Sequence, residues 1–273
     1  MWGKVIVFKD QEELAERFSE TLMEKIMIAS KGQHANRGRL ANEGKLGFAG
    51  EGRFNIAISG GSTPQVVFSA LATKYADSPL WQHTHFWWVD ERMVPPDHPE
   101  SNFGVANRLL FSKINIPGQN IHRIKGENEP LLEAESYAQQ INSQVSAQIS
   151  RQLHSEVPLH NNRPVFDLII LGLGDDGHTA SIFPDQMALL NSDLICAVAH
   201  HPVTGQARVT LTGKQINHAS AVCFLVTGAN KAQRLSEIAM KGEKAKLLPA
   251  SYIHPENGEL CWYCDTSAVR LLP

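Results

Sequence analysis

Two carboxylates and an imidazole follow a short apolar run near the middle of the chain. The run, residues 166–171, predicts a buried strand of a parallel sheet, and glycines at positions 172, 174 and 177 predict a sharp turn after it. Open α/β sheets bind ligands at this carboxyl-terminal edge of their strands. The polar side chains of the turn are Asp175, Asp176 and His178. Because an imidazole titrates near neutral pH, His178 is the candidate general base.

Two other interpretations of this turn stay open at the level of its own residues. Its three glycines spell G-x-G-x-x-G after a strand, which is the pattern of dinucleotide-binding sites. Asp175 and Asp176 disfavour such a site, because they would face a pyrophosphate with the wrong charge. The other interpretation is a glycine-rich turn in which His178 only caps or packs.

A second candidate site is the segment SGGSTP, residues 59–64, which follows an apolar strand and precedes a helical pattern. Glycine amides, hydroxyl groups and the dipole of a helix N-terminus together suit a phosphate group. The candidate phosphate-binding residues are Ser59, Gly60, Gly61, Ser62 and Thr63. A tight turn with a capping Ser or Thr explains the segment as well. A nucleophilic serine elbow is disfavoured, because G-x-S-x-G is absent around Ser59.

Cationic side chains accompany three further strand predictions. Arg92 follows the run THFWWV, and Lys231 follows the run AVCFLVT. Arg208 lies in an alternating run that places it on one face with two threonines. Two alternatives without a binding role are a surface ion pair between Asp90 and Arg92 and a solvated edge strand for Arg208. Polar turns that follow several strands can share one edge of a sheet, and this coincidence favours a binding site.

Composition narrows the classes of function. A chain of 273 residues with 42% apolar residues can bury a sizeable core, and we expect one α/β domain over residues 1–273. A formal net charge of −3, with scattered lysines and arginines, disfavours nucleic acid as a partner. No apolar stretch approaches the ~18 residues of a membrane span, and none resembles a signal sequence, so a soluble cytoplasmic protein is expected.

The four cysteines predict neither a disulfide framework nor a metal site. Cys196 and Cys223 lie in strand-like apolar runs, where a free thiol behaves as a small hydrophobic group. Cys261 and Cys264 form C-W-Y-C, for which a redox or metal pair is conceivable. In an extended segment, however, residues three apart point to opposite faces, and no second pair follows.

Strand and helix patterns alternate along the chain, which predicts an α/β fold with a mostly parallel sheet. Helices are predicted over residues 11–28 with Asp10 as N-cap, from residue 102 with Ser101 as N-cap, and over residues 131–153. Further strands are predicted at residues 4–8, 54–58, 121–124, 194–199 and 260–264. Residues 30–53 lack periodicity and are interpreted as a surface loop or insertion.

These segments together make the chain similar to a known family, the 6-phosphogluconolactonases of the pentose phosphate pathway. The resemblance is carried by SGGSTP at 59–64, VDERMVPPDHPESN at 89–102, GLGDDGHTASIFP at 172–184, ARVTLT at 207–212 and VTGANKA at 226–232. Their order and spacing agree from about residue 5 to residue 265. The third motif is the most specific, since a dinucleotide-binding fold has no reason to carry HTASIFP.

The resemblance implies a Rossmann-like three-layer α/β/α fold and cofactor-free hydrolysis of 6-phospho-D-glucono-1,5-lactone to 6-phospho-D-gluconate. Carried over by motif, it implies that His178 is the general base, that Asp176 orients it and that Arg92 polarises the lactone carbonyl. The same resemblance assigns the phosphate to residues 59–63, Arg208 and Lys231. The expected partner is a small sugar-phosphate lactone, with no metal, nucleic acid or membrane. The expected assembly is a monomer or a small homo-oligomer.

Two alternatives to the lactonase remain. A glucosamine-6-phosphate deaminase would use the same loop, acid, histidine and cations. It also needs an acid shortly after the histidine, where this chain has TASIFP without a Glu. A non-catalytic sugar-phosphate sensor would keep Arg208 and Lys231 but could discard His178.

Overall fold

The computed structural model describes residues 3–39, 52–145 and 163–272. Its α-helices are α1 (Gln11–Arg39), α2 (Ser62–Tyr75), α3 (Asn102–Leu109), α4 (Pro130–Val145), α5 (Gly213–Asn217), α6 (Ala232–Met240) and α7 (Thr266–Val269). Its strands are β1 (Lys4–Phe8), β2 (Phe54–Ile58), β3 (Thr84–Trp88), β4 (Asp90–Arg92), β5 (Ile121–His122), β6 (Leu168–Leu171), β7 (Cys196–His200), β8 (Ala207–Leu211), β9 (Ala221–Val226) and β10 (Glu259–Asp265).

Within the described residues, seven strands form a parallel sheet in the order β1-β10-β9-β6-β2-β3-β5. Every residue of β2, β3, β6 and β9 is buried, which explains why these strands are nearly unbroken apolar runs. The same four strands are neighbours in the sheet. The polar turns that follow them therefore meet at one edge, as expected from the sequence.

A second, smaller sheet is antiparallel, with the order β4-β8-β7. The strand predicted at residues 194–199 belongs to this sheet as β7 rather than to the parallel one. A short turn through Gly205, with a φ of 67°, returns the chain from β7 to β8, and so short a connection permits only antiparallel pairing. Because β8 is the central strand, the interpretation of Arg208 as part of a solvated edge strand is wrong.

Both predicted helix caps are confirmed. Asp10 Oδ1 accepts the Glu13 amide at 2.9 Å before α1, and Ser101 Oγ accepts the Gly104 amide at 3.0 Å before α3. Each bond satisfies an amide that the first helical turn leaves unpaired.

One predicted helix boundary differs from the structure, and another lies outside the described residues. Helix α1 continues to Arg39, so the prediction of a loop is wrong for residues 30–39, while residues 40–51 lie outside the described part. Extending an existing helix adds one hydrogen bond per residue and needs no new nucleus, so a helix can outlast its apolar pattern. Helix α4 is described as far as Val145, and its predicted continuation to residue 153 lies outside the described residues.

Helices α1 and α2 pack against each other and against the parallel sheet. The edge of Phe18 from α1 meets the Tyr263 ring of β10, with 4.9 Å between their centroids. Trp87 and Trp262 are fully buried within the sheet layer. Among the described residues, no helix combines the length and apolar character needed to cross a membrane.

Candidate active site

A cavity of about 270 Å³ opens at the carboxyl edge of the parallel sheet, and its wall includes residues of both sheets. The sequence-predicted residues that line it are Ser59, Gly60, Gly61, Ser62, Thr63, Arg92, His178, Arg208 and Lys231. Asp176 contacts His178 rather than lining the cavity. The structure therefore brings together every candidate residue that the sequence singled out, from segments far apart in the chain.

His178 and Asp176 form a hydrogen-bonded pair. Nδ1 of His178 lies 2.5 Å from Oδ1 of Asp176, and the same oxygen accepts the backbone amide of His178 at 3.0 Å. Burial acts to raise the pKa of Asp176, but the bonds from His178 outweigh it and lower the pKa to about 2. The carboxylate is therefore ionised at neutral pH. It engages Nδ1, and Nε2 has no hydrogen-bond partner among the described residues.

Two glycines of this turn allow close packing, and one of them lies against the imidazole. Gly177 has a φ of +86°, and a Cβ there would press on the Leu248 side chain. A Cβ on Gly174 would overlap the ring of His178. The ring also packs against Phe183, with 4.7 Å between the centroids. Gly174 thus permits the close packing of the histidine ring, which gives this glycine a role other than dinucleotide binding.

The SGGSTP segment joins β2 to α2 as the sequence predicts. Gly61 precedes the helix with a φ of +109°, and Ser62 is its first residue. Helix α2 therefore begins at the cavity wall, where its unpaired first amides and its dipole favour an anion. The Ser59 hydroxyl is already engaged, because it donates to the Ile170 carbonyl at 2.9 Å and ties β2 to β6. The hydroxyl oxygens of Thr63 and Thr227 lie 2.7 Å apart.

Lys231 is held at the cavity by acidic and amide groups. Its Nζ lies 2.5 Å from Oδ1 of Asp175, and Asn230 donates to the same oxygen at 2.8 Å. The hydrogen bond from Lys231 is the largest cause of a lowered pKa at Asp175. Arg234 donates to the backbone carbonyl of Asp175 at 2.9 Å. Asp175 therefore fixes the position of Lys231 and stays ionised beside it.

Arg92 and Arg208 lie opposite each other on the paired strands β4 and β8. Arg208 is only 8% exposed, and burial, followed by the charge of Arg92, lowers its pKa. The Nε atoms of both arginines are buried and have no hydrogen-bond partner in the part of the chain that the structure describes. Two neighbouring guanidinium groups with unused donors are costly unless an anion or a polarised oxygen lies between them. This pair points to an anionic or strongly polarised ligand.

Asp90 and Arg92 do not form the surface ion pair that was one alternative. Asp90 is buried, and its Oδ2 accepts the Ser181 hydroxyl at 2.7 Å. Arg92 instead donates through Nη1 to the Glu100 carbonyl at 2.8 Å. Arg208 is within 3.5 Å of the same Ser181 hydroxyl through its Nη1. Asp90 therefore supports the position of Arg208 through Ser181.

Sequence reasoning missed Glu91, which is 1% exposed. Its carboxylate accepts the amides of Arg92, Asn102 and Phe103 at 2.7–2.8 Å and the Ser101 hydroxyl at 3.1 Å. Burial raises the pKa of Glu91, and the amide bonds act against that rise. Glu91 thus fixes the start of α3 to strand β4 of the small sheet. The signal available in the sequence was an acid just after the predicted strand THFWWV, which by itself does not reveal burial.

Asn102 was also missed, although it lines the cavity. Its Nδ2 donates to the Asp90 carbonyl at 2.9 Å. A Cβ on Gly60 would overlap the Asn102 side chain, so the glycine permits a close approach of the SGGSTP segment to α3. In the described part of the chain, no three His, Cys, Asp or Glu side chains are grouped so as to hold a metal ion.

Comparisons with known proteins agree with this geometry. The family described as glucosamine-6-phosphate isomerases/6-phosphogluconolactonase matches residues 9–262. The 6-phosphogluconolactonase of Haemophilus influenzae is 44% identical over 219 residues, which cover 80% of this chain and 87% of that protein. The crystal structure of a devB protein is 38% identical, with a TM-score of 0.80 and 98% of both chains covered. The 6-phosphogluconolactonase from Trypanosoma cruzi is 26% identical, with a TM-score of 0.76 and 98% and 96% covered. The chain therefore belongs to the glucosamine-6-phosphate isomerase/6-phosphogluconolactonase family, and its α/β fold is the fold of that family.

Proposed function

We propose that this member of the family hydrolyses 6-phospho-D-glucono-1,5-lactone to 6-phospho-D-gluconate in the oxidative pentose phosphate pathway. The observation that carries the proposal is the His178–Asp176 pair at a cavity whose wall also holds three cationic side chains and a helix N-terminus. Such a wall suits an activated ester that bears a phosphate away from the reacting carbon. The relatives named as 6-phosphogluconolactonases support the same reaction.

The base in this mechanism is the neutral imidazole of His178. Asp176 accepts a hydrogen bond from the Nδ1–H of the imidazole, so the unprotonated Nε2 can take a proton from water. The water attacks C1 of the lactone, and the bond between C1 and the ring oxygen then breaks. The imidazolium returns its proton to the departing ring oxygen, and ionised Asp176 stabilises the imidazolium meanwhile. A δ-lactone already hydrolyses in water, so a general base that contributes roughly 10²–10⁴-fold is a sufficient device.

The cations divide between the carbonyl oxygen and the phosphate. In the substrate, C1 is joined through the ring oxygen to C5, which carries the phosphorylated C6, so the carbonyl and the phosphate are near neighbours. The opposed pair Arg92 and Arg208 suits this spacing. We assign Arg92 to the carbonyl oxygen, where one donor to the developing charge contributes ~2.7–4 kcal/mol. We assign Arg208 to the phosphate.

Lys231 and the loop of residues 59–63 complete the proposed phosphate site. Lys231 supplies a point charge, and the start of α2 supplies amides and a dipole. Since the Ser59 hydroxyl is bonded to Ile170, Ser59 contributes through the position of its backbone. Binding the unreacting phosphate orients C1 against the water and the base, so part of this binding energy appears in the rate.

The rival glucosamine-6-phosphate deaminase reaction has less support. It needs an acid shortly after the histidine, and residues 179–184 contain none. The polar side chains there are engaged elsewhere: Thr179 donates to the Gly172 carbonyl at 2.9 Å, and Ser181 donates to Asp90. No observation favours a non-catalytic sensor, which would have no use for the base and its orienting carboxylate.

The test is hydrolysis of the lactone generated enzymatically in situ, with acid release followed above the spontaneous rate. We expect strong acceleration by the wild-type protein and little by His178→Ala. Glucosamine 6-phosphate, assayed beside it for ammonia release, should not turn over. Acid release at the spontaneous rate with a folded wild-type protein would refute the proposal, and ammonia release would favour the deaminase.

A further inference from the structure

Cys223 and Cys261 lie side by side in the parallel sheet, away from the edge that carries the cavity. They are in-register partners on the neighbouring strands β9 and β10, so their side chains lie next to each other on one face of the sheet. Neighbouring strands run ~4.7–4.9 Å apart, within the ~4.4–6.8 Å between Cα atoms that a disulfide spans. Cys223 is 3% exposed, whereas Cys261 is half-buried. Cys261 is therefore partly accessible to solvent, and Cys223 lies directly beside it.

The surroundings make the two thiols unequal. The hydrogen bond from Cys223 lowers the pKa of Cys261 to about 7, with help from Lys25 and Lys4 and against burial and Glu259. The same bond, together with burial, raises the pKa of Cys223. Cys261 is thus substantially thiolate near neutral pH, and Cys223 remains a protonated thiol. Since the thiolate is the reactive form, Cys261 is the nucleophile of the pair.

We propose that Cys223 and Cys261 form a thiol site that reduces hydrogen peroxide, with Cys261 as the attacking sulfur and Cys223 as the resolving sulfur. In the first step the Cys261 sulfur bonds to one peroxide oxygen, the O–O bond breaks, and hydroxide leaves and is protonated to water. Cys261 is then a sulfenic acid. In the second step the Cys223 sulfur attacks the Cys261 sulfur, the S–O bond breaks, and water leaves with the Cys223 proton. Overall, two thiols are oxidised to one disulfide and the peroxide is reduced to two water molecules.

Cys196 and Cys264 provide internal controls in the same chain. Both are buried, and burial raises the pKa of each thiol, to about 12 for Cys264. Their in-register strand neighbours are Leu211 and Val226 rather than cysteines. Neither should react with peroxide or alkylating agents while the protein is folded.

The first experiment measures alkylation of the native protein by iodoacetamide as a function of pH, with the sites identified by peptide mass spectrometry. Cys261 should be alkylated with a midpoint near pH 7. Cys223→Ala removes the thiol donor and should raise that midpoint towards the ordinary ~8.5. Cys223→Ser keeps a hydroxyl donor and should retain part of the decrease. A Cys261 no more reactive than Cys264, or a midpoint that Cys223→Ala leaves unchanged, overturns the assignment.

The second experiment treats the native protein with hydrogen peroxide. The wild type should yield a peptide cross-linked between Cys223 and Cys261 that dithiothreitol releases. In Cys223→Ser the sulfenic acid at Cys261 should persist and be trapped by dimedone, whereas Cys261→Ser should give neither product. Absence of the cross-link in the wild type, or dimedone labelling at Cys264 instead, contradicts the proposal. Because the wild type carries the main readout of both experiments, the test survives a variant that fails to fold.

Discussion

His85 and His122 form a buried pair that should make the stability of the fold depend on pH. Nδ1 of His85 lies 2.9 Å from Nε2 of His122, and each residue is 7% exposed. The His122 ring also stacks on Trp87, with 3.9 Å between the centroids. Burial, followed by the charges of Arg53 and His83, lowers the pKa of His85 to about 4. Burial, followed by His85 and Arg53, lowers the pKa of His122 to about 3.

The unfolded chain binds protons at these histidines more readily than the fold does, since the ordinary pKa is 6.5. The stability they contribute is therefore complete above pH 6.5 and is lost as the pH falls towards 4. Lowering the pH from about 7 to about 5 reduces the unfolding free energy by roughly 2 kcal/mol for each histidine. Asp167 acts in the opposite sense, because burial raises its pKa to about 6. It recovers roughly 1 kcal/mol over this interval, which leaves a net loss of roughly 2–3 kcal/mol. That loss is a large part of the ~5–15 kcal/mol by which folds are stable.

Urea unfolding at these two pH values, followed by tryptophan fluorescence, measures this loss. His122→Gln removes one titrating group while keeping a polar partner for His85, and it should reduce the net loss by roughly 2 kcal/mol, to about 1 kcal/mol or less. Asp167→Asn removes the opposing carboxyl and should deepen the loss at low pH by roughly 1 kcal/mol. Equal unfolding free energies of the wild type at the two pH values would refute the reasoning. A pH dependence unchanged in His122→Gln would assign the effect to other groups.

Three further predictions concern the proposed reaction. His178→Ala should lower kcat at least ~10²-fold with little effect on substrate affinity, because the imidazole acts on water. Asp176→Asn should lower kcat less. Near-normal turnover of folded His178→Ala in the acid-release assay would exclude His178 as the base. Replacing Arg208 or Lys231 by Ala should raise the calorimetric Kd for 6-phosphogluconate roughly 10- to 100-fold, since charge-assisted bonds contribute ~1.5–3 kcal/mol. Hydrolysis of unphosphorylated glucono-δ-lactone should change little in either variant, and equal loss on both lactones would contradict phosphate recognition. Glu91→Gln should raise KM more than it lowers kcat, because the substitution loosens the contact of α3 with the SGGSTP segment. An unaltered KM in steady-state kinetics would show that the position of α3 does not affect substrate binding.

The part of the site that sequence could predict is the part encoded locally. Residues 59–64 and 172–178 each follow an apolar strand within a few positions, and glycine gives both turns a recognisable chemistry. The parallel sheet then places both turns at one edge whatever the exact strand order. His178 beside Asp176 is likewise a local pair, two residues apart in the sequence, and its hydrogen bond follows from the turn.

What sequence could not predict depends on which strands become neighbours. Arg208 alternates with apolar residues in a way that fits an edge strand or a central one, and only the pairing of β8 with both β4 and β7 buries it. Glu91 reads as a surface charge until α3 turns its first amides onto the carboxylate. The sequence places Cys261 beside Cys264 in C-W-Y-C, whereas its partner on the neighbouring strand is Cys223. Strand register between distant segments is a property of the tertiary structure, and a one-residue shift would undo each of these contacts.

Val89 links the small sheet, which carries Arg92 and Arg208, to the parallel sheet, which positions the proposed base. Its amide donates to the Ile58 carbonyl at the end of β2 at 2.9 Å, and its carbonyl accepts the Leu211 amide of β8 at 2.8 Å. This fully buried residue, which lies between β3 and β4, therefore bonds to one strand of each sheet. Strand β2 ends at the SGGSTP segment, and β8 carries Arg208. The two hydrogen bonds of Val89 therefore fix the position of the small sheet relative to that segment. A shift of the small sheet would carry Arg92 and Arg208 together, so their mutual spacing would survive while their alignment with His178 would not. The proposed catalysis thus depends on the junction of the two sheets as much as on the side chains at the cavity wall.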